Sequence, residues 1–175
     1  MKSNLSAVLQ QTVGVTGGVM TFDGASHSCY AATAPAMYGY LPMPARAAAN
    51  VTMRGANIVY VYRTRTVYDD VVRWWFLCAL ERRCIAPKHG SELQCRFHSG
   101  GNDGGETGEH IDRSRSEWAG CHRFDQSALN ILLANRFAFD DRKYFAPPGV
   151  VEVRRVRLYS WLCRVRYALS MISAC

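Results

Sequence analysis

The sequence has no long apolar run, no internal repeat and no closely spaced cysteine pair. Its longest apolar run, Trp74 to Leu80, is far shorter than the roughly 20 residues of a membrane-spanning helix, so no span is predicted. The stretch after Lys2 is interrupted by Gln10 and Gln11 and lacks a small-residue cleavage pattern, so no signal peptide is predicted either. What remains is a chain of 175 residues, 49% hydrophobic and 20% charged, which is typical of a globular domain.

The net charge of +7 is unevenly distributed. Much of it comes from an arginine-rich, aromatic-containing segment at residues 151–175, which we separate as a basic tail from a domain at residues 1–150. Such a tail could contact phosphates, with a final strand over residues 150–156 as the simpler interpretation. Because no recognised nucleic-acid-binding module accompanies the charge, no nucleic-acid partner is predicted.

The segment from Cys121 to Asn135 joins a polar cluster to an amphipathic helix. Asp125 is a good N-cap residue, and Phe124 and Leu129 then stand where two apolar side chains staple a helix start. One apolar stripe is predicted to face the core, with Asn130 and Asn135 pointing elsewhere. The stripe contains Ala128, Leu129, Leu132 and Leu133. The helix would therefore hold the polar residues before it as one wall of an active site.

Other regular elements are predicted from local patterns. Ala45 to Thr52 is typical of a short helix that Pro44 introduces, and Ile58 to Tyr62 of a buried strand. Thr66 and Asp69 have the spacing of a capping box, and the helix that follows is expected to end near residues 81–83. Its predicted core face contains Val67, Val71, Trp74, Trp75 and Cys78.

The segments between these elements are predicted to be loops. Residues 26–44 show neither a helical nor a strand period, which predicts an ordered surface loop. Its side chains that could hydrogen-bond and stack on sugar rings, with ordinary loop packing as the alternative, are His27, Tyr30, Tyr38 and Tyr40. The glycine-rich residues 98–110 form either a lid or a variable insertion. Residues 140–144 are predicted to turn.

Several segments together resemble a known family. Asp125-Gln126 followed by Leu129-Asn130 is similar to the DQ-x-x-LN motif of nucleotide-sugar glycosyltransferases of the GT-A type. With four further segments, the chain resembles an invertebrate family of glycosyltransferase-like proteins, domain of unknown function 1647. Those segments are Ser26 to Thr33, Met37 to Pro44, Gly55 to Thr64 and Trp74 to Pro87.

The resemblance implies an α/β fold, a partial GT-A-like mixed sheet with flanking helices, with the nucleotide-binding strands and a membrane anchor upstream of the matching region. It implies transfer of a sugar from a nucleotide-sugar donor to a glycan, lipid or protein acceptor in the Golgi or secretory pathway. The GT-A family usually holds a manganese or magnesium ion with Asp-x-Asp, but no Asp-x-Asp occurs in this sequence, so no metal ligand is predicted here. The alternative is a noncatalytic binding protein that keeps only the acceptor side of the fold.

The resemblance also assigns roles to residues. Asp125 and Gln126 are expected beside the donor sugar, and His122 could position a phosphate or act as an acid, since imidazole titrates near neutral pH. Further substrate contacts are expected from Arg123, Asn130, His27 and Tyr38.

Four of the seven cysteines lie in the matching region: Cys78, Cys84, Cys95 and Cys121. In an oxidising lumen they are expected to form two disulfides that tie the glycine-rich loop to the two helices, and the three pairings stay open. The sequon Asn50-Val51-Thr52 agrees with such a compartment. A zinc site is the weaker alternative, because its candidate ligands show no CxxC pair and no closed four-ligand spacing. Those candidates are Cys84, Cys95, His98, Cys121 and His122.

Overall fold

The computed structural model describes residues 5–87, 92–96 and 113–146 of the chain. Within them helices and short strands alternate, which confirms the mixed helix-and-strand class. The helices are α1 Leu5–Thr16, α2 Ala45–Asn50, α3 Arg65–Val67, α4 Arg73–Leu80, α5 Arg82–Ile85, α6 Arg113–Ser116 and α7 Phe124–Arg136. The strands are β1 Val19–Thr21, β2 Gly24–Ser28, β3 Thr52–Arg54 and β4 Val59–Val61. The 3-10 turns are Pro35–Gly39 and Asp141–Tyr144.

The four described strands form two antiparallel pairs that follow each other along one ribbon. In the first pair β1 lies against β4, with Val19 opposite Val61. In the second β2 lies against β3, with Gly24 opposite Arg54. Between the pairs the ladder is interrupted, and the two backbone segments are joined there by a backbone hydrogen bond from the Gly55 amide to the Asp23 carbonyl (2.8 Å). This interruption leaves an irregular stretch of backbone beside the start of α7.

Helix α7 is the centre of the core. All its residues from Ser127 to Ala134 are buried, and the predicted stripe among them is confirmed. Asn130, however, is also fully buried, so the prediction that it points elsewhere is wrong. Around α7 pack large side chains from several elements, such as Met37, Met53 and Tyr144. Burying a large apolar side chain contributes about 1.5–3 kcal/mol, so this helix anchors the domain.

The start of α7 differs from the prediction. Asp125 is the second helical residue rather than the N-cap, and no side chain caps the helix. The first helical bonds go instead to the Arg123 carbonyl, which accepts from the Gln126 amide at 2.9 Å. Phe124 enters the helix with a positive φ of 43°, so the predicted staple with Leu129 is also wrong. A bulky residue rarely adopts this conformation, and the chain is therefore strained at this point.

A continuous helical run contains α3, a π-helical turn at Tyr68–Val72, and α4. Its cap is Thr64, whose hydroxyl accepts from the Val67 amide at 3.2 Å. The predicted capping box at Thr66 is therefore wrong by two residues, because Asp69 bonds to Arg65 (2.6 Å) rather than to a free amide. The run ends at Leu80, as predicted.

The predicted core face of this run is confirmed at three positions and differs at two. Val67, Val71 and Cys78 are buried. Trp75 is half-buried. Trp74 is 45% exposed, so its place in the core was predicted wrongly. The buried face of the helix is therefore narrower than predicted, because Trp74 points towards solvent.

The structure confirms that four of the cysteines form two disulfides, but only one of the two involves the loop, so the prediction that both tie the loop to helices is wrong. Cys78 bonds to Cys84, with Cα atoms 5.2 Å apart, and joins α4 to α5. Cys95 bonds to Cys121, with Cα atoms 4.7 Å apart, and ties residues 92–96 to the approach to α7. The alternative zinc site is excluded for these cysteines because their sulfurs are bonded to each other. Cys29 is buried and free.

The remaining local predictions have mixed outcomes. The short helix after Pro44 is confirmed as α2. The strand predicted at 58–62 is confirmed as β4, but its burial is wrong, since Val61 is 41% exposed. Part of the loop predicted at 26–44 is instead strand β2 and the 3-10 turn Pro35–Gly39. The turn at 140–144 is confirmed as a 3-10 turn.

Three further predictions fall on residues that the structure does not describe. The lid at 98–110, the strand at 150–156 and the basic tail at 151–175 lie outside the described residues. Among residues 5–87, 92–96 and 113–146, no helix is both long and apolar enough to cross a bilayer.

Candidate functional site

A cleft of about 320 Å³ opens where the interrupted ribbon meets the start of α7. Six polar side chains line it: Asp23, His27, Asn57, Arg123, Asp125 and Gln126. Four of them belong to the predicted site: His27, Arg123, Asp125 and Gln126. They meet here because strand β2, which carries His27, lies next to the start of α7. Two carboxylates, a guanidinium, an imidazole and two amides thus converge on one cavity.

The floor of the cleft depends on Gly55. A Cβ atom there would lie 2.5 Å from Asn57 Oδ1 and 3.0 Å from the Asp23 Cβ, which is closer than atoms pack. The Asp23 carboxylate is fixed at the same place, because its Oδ1 accepts from the Gly24 amide at 2.9 Å and its Oδ2 from Asn57 Nδ2 at 3.4 Å. Glycine therefore allows the two backbone segments to approach and orients one carboxylate of the site.

Asp125 is exposed at the mouth of the cleft. Its backbone carbonyl accepts a hydrogen bond from Trp75 Nε1 at 3.0 Å. Within the described residues its carboxylate makes neither a hydrogen bond nor an ion pair, so its oxygens are available to a ligand. The side chain lies in the first turn of α7, where the helix dipole favours a negative charge.

Gln126 and Asn130 hold the neighbouring strand in place. Asn130 Oδ1 accepts from the Arg54 amide at 2.7 Å, and its Nδ2 donates to the Arg54 carbonyl at 2.8 Å. Gln126 Nε2 donates to the same carbonyl at 3.1 Å. The two amides of the DQ-x-x-LN motif therefore clamp β3 onto α7, and Asn130, which is fully buried, affects any ligand only through the position of this strand.

Arg54 itself is held on the side of β3 away from this clamp. Its guanidinium forms an ion pair with Asp141 at 2.8 Å and lies 3.9 Å over the ring of Phe145. Strand β3, which leads directly into the cleft residues Gly55 and Asn57, is thus fixed by both its backbone and the side chain of Arg54.

His27 is a buried imidazole in the wall of the cleft. Its Nδ1 lies 3.1 Å from the Ser28 carbonyl and so donates its proton there, which leaves Nε2 as an acceptor in the neutral ring. Burial lowers the pKa of His27, and the positive charge of Arg123 lowers it further, despite the opposing effect of the Ser28 bond. A neutral ring of this kind can accept a proton.

His122, the other predicted histidine, does not line this cleft. It is fully buried, Nδ1 accepts from the Ala34 amide at 3.2 Å, and Nε2 donates to the Ile85 carbonyl at 2.9 Å. Burial lowers its pKa, so the ring is neutral and holds two backbone segments together. Its contribution is therefore to the shape of the domain.

Tyr38 also lies outside the lining of the cleft. It is half-buried, its hydroxyl is enclosed, and burial raises its pKa. The buried thiol of Cys29 is a neighbour, and burial raises the pKa of this thiol to about 12. Tyr38 thus packs beside the Cys29 thiol rather than in the wall of the cleft.

A second, more apolar cleft of about 540 Å³ lies at the other end of α7. Tyr40 and Trp74, each 45% exposed, line it together with the ion pair between Asp70 and Arg136. Of the loop residues expected to stack on sugar rings it contains Tyr40, and it contains none of the residues to which the resemblance assigns a role.

The described residues do not fit a resident divalent metal. Within them no group of three or more His, Cys, Asp or Glu side chains lies close enough to hold a metal ion. The positive charge beside the two cleft carboxylates is instead a guanidinium, that of Arg123.

Two residues of the cleft were not identified from the sequence. Asp23 and Asn57 come from segments next to short strands, and although Asn57 lies in the matching segment Gly55 to Thr64, no role was assigned to either residue. The Asp23-Gly24 dipeptide after an apolar strand marks a turn, which is the one local signal that could have drawn attention to it.

Comparison of the chain with protein-family models, with curated proteins and with solved structures finds no match.

Proposed function

We propose that this chain is the acceptor-side part of a GT-A-like glycosyltransferase and that the cleft at the start of α7 holds the sugar of a nucleotide-sugar donor. One observation carries the proposal: the Asp125 carboxylate, in the motif that resembles the family, opens into a polar cleft without a protein partner among the described residues. Ionised carboxylates are strong acceptors for sugar hydroxyls.

The charges in the cleft suit the two halves of such a donor. Asp125 and Asp23 provide acceptor oxygens for hydroxyl groups. Arg123 provides the positive charge for the diphosphate, and a guanidinium can bind two phosphate oxygens at once. The mixture of signs favours a ligand that contains both hydroxyls and an anion over a purely anionic one.

The transfer proposed here breaks one bond and forms one. An acceptor hydroxyl oxygen attacks the anomeric carbon, and the bond from that carbon to the diphosphate leaves its electron pair on the diphosphate oxygen. Arg123 stabilises the developing negative charge. The acceptor proton passes to the carboxylate of Asp125, which is exposed at the mouth of the cleft.

The secretory setting expected from the resemblance is part of this proposal. Two disulfides are compatible with an oxidising compartment. Asn50 of the glycosylation sequon is exposed at the end of α2, where it is accessible to modification.

A second candidate is a binding protein that holds a carbohydrate without turnover. The observation that favours it concerns Gln126, whose side-chain nitrogen donates to the Arg54 carbonyl. Gln126 therefore holds strand β3 in place as well as lining the cleft. Binding of a nucleotide sugar without release of its nucleotide would support this candidate over the transferase.

The test is release of uridine diphosphate from a panel of uridine diphosphate sugars, with manganese, with magnesium and with a chelator. The full chain with intact disulfides is compared with Asp125→Asn, which removes the charge and keeps the shape. We expect release to fall at least about tenfold, the loss expected when a charged hydrogen bond to the reacting sugar is weakened.

The matched control is Asp69→Asn, which removes a carboxylate from the exposed surface of the π-helical turn. It should release nucleotide like the unmodified chain. Both variants should unfold at nearly the same denaturant concentration as the unmodified chain, since both sites are at the surface. Equal release by all three proteins would contradict the role of Asp125 in transfer, and binding of a nucleotide sugar by the unmodified chain without release would favour the second candidate.

A further inference from the structure

Helix α4 is apolar on both of its sides. The side towards the domain carries Cys78, which is buried, and Trp75, which is half-buried. The opposite side carries Phe76, Leu77 and Leu80, which are 63%, 46% and 69% exposed. A helix at the surface of a soluble domain normally has a polar outer face, so this outer face indicates a surface that contacts something apolar.

We call Trp74, Phe76, Leu77 and Leu80 the α4 patch. Trp74, which is 45% exposed, extends the patch towards the second cleft. A Trp beside Phe and Leu is typical of the boundary between lipid headgroups and acyl chains, because indole has an apolar body and one polar N–H.

Cations border the α4 patch at both ends. Arg73 precedes it, with 45% of its side chain exposed, and Arg82 and Arg83 follow it on the surface. Two acidic residues lie near them. Asp69 pairs with Arg65 at 2.6 Å and lies 4.0 Å from Arg73, and Glu81, whose carboxylate accepts from the Arg83 amide at 2.9 Å, keeps its negative charge. With Arg65 counted, four arginines outnumber these two carboxylates, so the border of the patch is net positive.

The disulfide between Cys78 and Cys84 fixes this arrangement. It closes the short segment that carries Leu80, Arg82 and Arg83, so the apolar end of α4 and the two arginines are held next to each other. The patch and its cations form one rigid surface.

A second copy of the chain fits this surface poorly. The patch exposes on the order of 400 Å² of apolar area, given the roughly 150–250 Å² of a whole aromatic side chain. A stable dimer buries about 800 Å² on each partner. Around a two-fold axis through the patch, the arginines of both copies would also lie close together and repel each other.

We propose that the α4 patch binds the surface of a bilayer that contains anionic lipids. The apolar side chains enter the boundary between headgroups and acyl chains, and Arg73, Arg82 and Arg83 contact lipid phosphates or carboxylates. Affinity of this kind depends on both the apolar area buried and the attraction to anionic lipid. The inference is independent of the proposed glycosyl transfer, because none of its residues lines the cleft that contains Asp125.

The test is sedimentation of the full chain with two kinds of vesicle, one of phosphatidylcholine alone and one with about three parts in ten phosphatidylserine. We expect at least about tenfold stronger binding to the anionic vesicles, weakened by added salt because salt screens the arginines. At high salt, where the apolar contacts remain, the double variant Phe76→Ser, Leu80→Ser should bind vesicles at least about tenfold more weakly than the unmodified chain.

Two further variants make the result specific. Arg73→Gln with Arg83→Gln should remove most of the preference for anionic vesicles and leave the weaker binding to neutral ones. Val15→Ser with Ile58→Ser is the matched control, since these residues are 67% and 38% exposed on other elements, and it should bind like the unmodified chain. Equal binding by the α4 double variant would overturn the proposal. The proposal would also be overturned if the unmodified chain did not bind vesicles but formed a dimer, and if the same substitutions dissociated that dimer.

Discussion

Replacing Asn130 by alanine tests whether the clamp between α7 and β3 holds the domain together. Asn130 is fully buried, and its side chain bonds to the amide and carbonyl of Arg54 and to the carbonyl of Gln126. In the variant the Arg54 carbonyl keeps its bond from Gln126 Nε2, whereas the Arg54 amide loses its acceptor. The main cost is therefore one partly buried N–H without a partner.

That cost can be worked out from the structure. An unsatisfied buried donor costs about 1–3 kcal/mol. The cavity left by the amide group adds roughly 1 kcal/mol, since a buried void costs about 24 cal/mol per Å³. We expect Asn130→Ala to lower the free energy of unfolding by about 2–4 kcal/mol, which is a shift of roughly 1 M or more in the urea midpoint.

The assay is urea unfolding of the oxidised chain, followed by far-ultraviolet circular dichroism. Asn135→Ala is the control, because Asn135 is exposed on the same helix and makes one hydrogen bond, to the Pro42 carbonyl at 2.9 Å. It should cost about 1 kcal/mol or less. Equal midpoints for the two variants would refute the reasoning, since both lose the same group and differ only in burial and partners.

Three further predictions concern charge, cross-links and backbone. Burial lowers the pKa of His122 in the folded chain, so on acidification the unfolded chain binds a proton before the folded chain does. The free energy of unfolding should therefore fall as pH drops through about 6.5, the pKa of an unperturbed histidine. Urea unfolding at two pH values should show this fall, and His122→Gln should show a smaller one. The Cys95–Cys121 disulfide closes a longer loop than the Cys78–Cys84 disulfide. Replacing both Cys95 and Cys121 by serine should therefore lower the free energy of unfolding by about 3.5 kcal/mol, against about 2.4 kcal/mol for the loss of Cys78–Cys84. A lower urea midpoint for the variant without Cys78–Cys84 would contradict this. Gly55→Ala should lower both stability and ligand affinity, while Gly14→Ala, with open space around it in α1, should raise the urea midpoint slightly.

The sequence predicted helices well where the signal is local. The apolar stripe of α7 and the core face around Val67 and Val71 follow from residue spacing alone, because each position on a helix faces a fixed direction. Asn130 was misplaced because a polar residue within the helix was assigned to solvent, and only the Arg54 backbone explains its burial. That partner is distant in sequence, so no local pattern reveals it.

The candidate site divides in the same way. Arg123, Asp125 and Gln126 could be predicted because they are consecutive or nearly so at one helix start. Asp23 and Asn57 meet them only through the interruption of the ribbon, which depends on pairing between distant strands. The predicted cap at Asp125 failed for a related reason: the positive φ of Phe124 moves the start of the helix, and sequence patterns carry no signal for a strained residue.

A comparison of two affinities in one variant separates contact with the sugar from contact with the nucleotide. Isothermal titration of the full chain and of Asp125→Asn should be performed with a uridine diphosphate sugar and with uridine diphosphate itself. If the Asp125 carboxylate binds sugar hydroxyls, the substitution weakens the affinity for the nucleotide sugar about tenfold or more and leaves the affinity for the nucleoside diphosphate unchanged. Equal changes for both ligands, or no change for either, would show that the carboxylate at the start of α7 does not contact the sugar.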